Sequence, residues 1–192
     1  MLQTDAFNED IAAAYGQQQP YQHVGHPPTM LIFSAIPGSG KTTLAKRLWH
    51  DFKAQYINHD DIRNLIRERG IEPENLFMPP ISRILVHRMI SSDENKFVIL
   101  DGSLDRTWEI FFDHAKELHA KTILIRIELP ISVIRERLLQ RDGVNGPLLG
   151  RLDQFRNDFK NCRKQVTADI TVGENYDYAT VLQAIRDKIP SL

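Results

Sequence analysis

Four stretches of the chain are apolar almost without interruption: residues 30–36, 55–57, 97–100 and 122–127. A strand wet on one face alternates apolar and polar side chains, so an unbroken run marks a strand covered on both faces. Residues 168–172 form a weaker fifth run. Between the runs the apolar period lengthens to that of a helix. Leu44, Ala45, Leu48, Trp49 and Phe52 share one side of a helix over 42–52. Segments 80–90, 108–119 and 132–141 behave similarly. Leu152, Phe155, Phe159, Cys162 and Val166 recur at spacings of three and four, and a last helix spans 178–188. Strand and helix alternate, which predicts a three-layer α/β fold on a parallel sheet.

Residues 1–28 differ in texture and are expected to form an appendage to a domain covering 29–192. Residues 5–15 suit a short helix, and 16–28, rich in Gln, Pro, Gly and His, suit a linker. His23 and His26 lie there with no nearby Cys or carboxylate, so a flexible segment fits them better than a metal site. Composition is that of an ordinary globular chain: 42% hydrophobic, 26% charged, 192 residues. No apolar run approaches the ~18 residues of a membrane helix. The net charge of −1 argues against a protein that coats nucleic acid by bulk electrostatics. Charge is uneven, however. Residues 1–30 carry Asp5, Glu9 and Asp10 and no Lys or Arg, whereas 121–164 carry ten basic groups against five acidic ones, which points to an anionic ligand. One cysteine, Cys162, and an acidic start unlike a secretion signal predict a cytoplasmic protein without disulfides.

The chemistry concentrates at Ala35-Ile-Pro-Gly-Ser-Gly-Lys-Thr42, which follows the first buried strand and opens the first helix. This is a P-loop pattern, with Ala35 in place of the usual first glycine. Gly38 and Gly40 permit backbone angles that turn successive N–H groups inward, making an anion cradle from Pro37, Gly38, Ser39 and Gly40 through Lys41, Thr42 and Thr43. The helix dipole adds to it. Lys41 can reach β- and γ-phosphates, and the Thr42 hydroxyl can ligate Mg²⁺. The pattern implies a nucleoside triphosphate, with ATP the leading donor among them, and Mg²⁺. Asn95-Lys-Phe-Val98 lacks the aspartate of a guanine-selecting motif. Leu100-Asp101-Gly102 ends a strand without the glutamate that activates water in many P-loop ATPases. Transfer to a bound acceptor is therefore favoured over hydrolysis.

With Asn58-His-Asp-Asp-Ile-Arg63, Val98-Ile-Leu-Asp-Gly102 and Arg137-Leu-Leu-Gln-Arg141 added to the P-loop, the chain resembles the adenylate kinase-like P-loop kinases. Within them it looks most like polynucleotide 5′-kinase domains and zeta-toxin-like small kinases. The resemblance implies a five-stranded parallel sheet in the order 2-3-1-4-5. It makes Asp60 the base for an acceptor hydroxyl, with Asp61 as rival base or helix-start residue, and Arg63 an acceptor-side anion clamp. Asp101 would hold Mg²⁺ with Thr42 and face the substrate, and Arg106 would reach the acceptor. Trp108 suits a core anchor better than a stacking platform. A short lid is expected at 142–151, where three glycines and a proline follow Arg141. Arg141 then matches the catalytic lid arginine, Arg137 a nucleotide contact and Arg151 a weaker candidate. Residues 64–96 carry no assignable motif, although Glu72, Glu74, Arg83, His87 and Arg88 could line an acceptor site. The acceptor would be a small metabolite, a nucleotide or, less favoured on charge, a nucleic-acid 5′-end. The alternatives are a nucleotide-dependent switch or regulatory ATPase, with residues 1–28 as a docking arm, and a toxin-like kinase of nucleotide sugars.

Overall fold

Every residue of strand β1 (Thr29–Ala35) is buried, as an unbroken apolar run requires. It is the middle strand of a parallel sheet completed by β2 (Gln55–Asn58), β3 (Phe97–Ser103), β4 (Lys121–Ile127) and β5 (Ile170–Val172), in the order β2-β3-β1-β4-β5. The computed structural model describes residues 4–16, 28–72, 78–91 and 97–189. Its helices are α1 (Asp5–Gly16), α2 (Lys41–Phe52), α3 (His59–Glu68), α4 (Pro79–Ser91), α5 (Trp108–Glu117), α6 (Ile131–Asp142), α7 (Leu152–Gln165) and α8 (Tyr178–Arg186). Most of the linker predicted over 16–28, with His23 and His26, lies outside the described residues, as do Glu74 and residues 92–96.

Alternation within each strand divides the interior in two. Met30, Ile32, Ile57, Val98, Leu100 and Leu124 pack against α1, α3, α4, α5 and α7. Leu31, Phe33, Tyr56, Ile99, Ile123 and Ile125 pack against α2 and α8. Each such side chain contributes roughly 1.5–3 kcal/mol through burial. A third cluster joins Ile36 of the P-loop to Ile134 and Leu138 of α6 and to Leu152 and Phe159 of α7. The segment 142–151 is tied to this cluster by Leu148 and Leu149, while Val144 at its tip is 80% exposed.

Helix α1 does not project as an arm. Ile11, Ala12 and Tyr15 belong to the first core cluster. No helix among the described residues is long and apolar enough to cross a membrane.

Candidate active site

The P-loop leaves β1 at Ala35 and turns at Ile36, whose carbonyl accepts the Ser39 amide proton at 3.1 Å. Gly38 and Gly40 have φ of 88° and 92°, the left-handed region that other residues enter only with strain. A side chain at Gly38 would also stand 3.0 Å from Leu138, so α6 packs directly on the loop. The Ser39 hydroxyl is buried and has no partner among the described residues. Such an orphan donor is rare unless a ligand satisfies it.

Asp101, 2% exposed, is the centre of the site. One carboxylate oxygen pairs with the Lys41 ammonium and accepts from the Thr42 hydroxyl at 3.3 Å. The other accepts from the Tyr56 hydroxyl at 2.6 Å and the Asn58 amide at 2.9 Å. Burial, and then the Asp101 carboxylate, hold the Tyr56 phenol protonated far above its ordinary range, so it stays a donor. Sheet register creates the contact, because Asn58 lies opposite Asp101 at the ends of β2 and β3.

Asn58 also accepts the backbone protons of Asp60 at 2.7 Å and Asp61 at 3.2 Å, capping α3. Neither aspartate is therefore the cap. Both lie in the first turn, where the helix dipole favours carboxylates. Asp60 is 81% exposed and accepts from Arg63 at 2.7 Å. Burial, above all, raises the pKa of Asp61. His59 turns inward to Ser82 at 2.8 Å, and burial with the nearby Arg63 and Lys41 charges lowers its pKa to about 3. A ring so reluctant to take a proton is a poor base. It also fills the space beside Gly102, where any side chain would run into it. The room beside Gly102 thus belongs to His59.

Among the expected arginines, Arg137 reaches the loop, donating to the Ser39 carbonyl at 3.4 Å. Arg141 forms a two-pronged bond with Asp142 at 2.6 Å, and that bond, with a smaller contribution from Asp60, raises its pKa. Arg106 turns to Asp158 of α7 at 3.4 Å, and Arg151 lies over Phe155. Trp108 packs edge-on against Phe112 beside the core. Beside the P-loop is a cavity of about 220 Å³ with Ser39, Gly40 and Arg137 on one side and Ile127, Leu129 and Tyr176 among the rest of its lining. Sequence reasoning passed over Tyr56, Asn58 and Tyr176. For Asn58 a signal existed, since Asn at a strand end with Asp-Asp two and three residues later is a helix-start pattern.

Fold and site together define a P-loop α/β domain on a parallel sheet in the order β2-β3-β1-β4-β5, an architecture also seen in solved structures of small kinases. The chain belongs to the AAA domain family, whose profile matches residues 30–161. It is 29% identical over 125 residues to the cytidylate kinase of Methanopyrus kandleri, covering 60% of this chain and 64% of that one. The chain thus spans less than two-thirds of that relative. In fold it is similar to a gluconokinase from Sinorhizobium meliloti (TM-score 0.57, 17% identity, 83% of this chain and 90% of that one). It is likewise similar to the shikimate kinase of Aquifex aeolicus (TM-score 0.51, 17% identity, 82% and 94%).

Proposed function

We propose that this chain is an ATP- and Mg²⁺-dependent phosphotransferase that moves the γ-phosphoryl group to a hydroxyl of a small acceptor. The observation that carries this is the convergence of Lys41, Thr42 and Asp101 over the P-loop, joined by one side chain, Asn58, to the helix turn bearing Asp60. The relatives share phosphoryl transfer in their names while differing in acceptor: the phosphate-bearing cytidylate, and gluconate and shikimate.

The inward amides from Gly38 to Thr42 and the Ser39 hydroxyl bind the phosphates, and Lys41 neutralises them. The Thr42 hydroxyl and Asp101 carboxylate are hard oxygen donors. Among the described residues no cluster of three metal-binding side chains exists, which fits an ion that takes its other ligands from phosphate and water, as Mg²⁺ does. There it would offset charge on the β- and γ-oxygens. The apolar floor of Ile127 and Leu129, with Tyr176 and Arg137, suits a nucleoside base, and Glu174 in the lining can accept from an exocyclic amine such as that of adenine. Asp60 takes the acceptor proton as the acceptor oxygen bonds to the γ-phosphorus, and the bond from that phosphorus to the β,γ-bridging oxygen breaks to release ADP. Arg141, freed from Asp142, counters the charge on the transferring group, while Arg137, donating to the Ser39 carbonyl beside the loop, holds the nucleotide.

The test is a metabolite-library screen with Mg–ATP, read by mass spectrometry. A phosphorylated product that disappears with Lys41→Ala supports the assignment. ATP binding with no product from any hydroxyl compound would replace it with a switch or regulatory ATPase.

A further inference from the structure

The family match begins at residue 30, so α1 precedes the shared domain, yet it reaches the site. Strand β2 is an edge of the sheet. One side of it pairs with β3, and the backbone groups on its other side, the Asn58 N–H and the Tyr56 carbonyl, are buried and need partners. Tyr15, 1% exposed on the last turn of α1, supplies both. Its hydroxyl accepts the Asn58 amide proton at 2.9 Å and donates to the Tyr56 carbonyl at 3.4 Å. One phenol thus replaces a rung of a missing neighbouring strand. On the outer surface Glu9 bonds Arg88 of α4 at 2.5 Å, and Asp10 pairs with Arg69 just past α3. The acidic start of the chain and the arginines of these helices are complementary.

We propose that Tyr15 is a positioning residue for the reaction: it fixes the β2–α3 junction and, through Asn58, the spacing between Asp60 and the Asp101–Lys41–Thr42 cluster. Its catalytic meaning rests on the phosphotransfer proposed above. Tyr15→Phe keeps the ring in the core and removes only the hydroxyl, leaving two buried backbone groups unpaired.

The experiment uses the full chain and compares wild type with Tyr15→Phe by amide hydrogen exchange and by ADP release from Mg–ATP in the presence of an acceptor found in the screen. Exchange over residues 56–62 is expected to rise about tenfold while β1 and β4 are unchanged, with the KM for ATP held within about twofold and kcat down about tenfold, the scale of one such bond. Unchanged exchange at 56–62 overturns the proposal. So does a uniform rise across all strands, which would make Tyr15 a general stability residue, or an unchanged kcat. A second variant, Glu9→Gln with Asp10→Asn, loosens α1 without touching the core and should give a weaker form of the same local pattern. If the wild-type protein phosphorylates nothing, phosphotransfer fails on its own, and the exchange pattern alone decides whether Tyr15 holds the junction.

Discussion

At the scale of single residues, Asp101 gathers what the P-loop and the strand ends provide, and the consequences separate cleanly. Lys41→Ala removes the charge that phosphates need but leaves Asp101 held by Tyr56 and Asn58. Calorimetric titration should show Mg–ATP binding weakened about 10- to 100-fold, the value of one or two charged hydrogen bonds, with little change in melting temperature. Asp60→Asn should do the opposite, lowering transfer by about 10²–10⁴-fold at nearly unchanged ATP affinity. A variant that lost affinity and kept its rate per bound ATP would move Asp60 to the metal side. Lys41 and Thr42 were legible because the P-loop spacing has one dominant physical use. The Asn58–Tyr56 pair was not, since it arises from register between two strands that lie about forty residues apart in the chain.

At the scale of elements, α6 and the segment that follows it divide the arginines. Arg137 and Arg141 share a face at a spacing of four, and no periodicity could say which one leans on the loop. Packing of Leu138 against Gly38 decides it by setting Arg137 against Ser39. Arg141 lies a turn further on, next to Gly143, where the backbone has φ of 72° and the helix ends. Arg137→Ala should therefore raise the KM for ATP, while Arg141→Ala should lower kcat with a smaller effect on KM. Steady-state kinetics on the two variants check this, and identical profiles would deny the division. Helix α3 was read only at its start, where Asp60 and Asp61 precede Ile62, although Ile62, Leu65 and Ile66 share a buried face that the helical period carries.

At the scale of the whole molecule, burial was the most legible property. The four unbroken apolar runs and the weaker fifth located all five strands to within two or three residues, and the sheet order followed from the kinase resemblance. The docking of α1 was hidden, because its apolar side chains do not say what they pack on. Burial also sets a pH dependence. His59 has a folded pKa near 3 against an ordinary value of 6.5. Between those values the unfolded chain binds the extra proton, so stability is complete above about pH 6.5 and declines as pH falls towards 3. Thermal melts from pH 8 to 4 should show this decline, and His59→Gln should flatten it. The same ring has a further bearing on how the family can vary. With the imidazole wedged against Gly102, neither site is free to drift alone. A combinatorial library randomised at both should return Gly102→Ala only in clones that have also traded the histidine for something smaller, and natural sequences carrying a methyl or more at the first position should show the same compensation at the second.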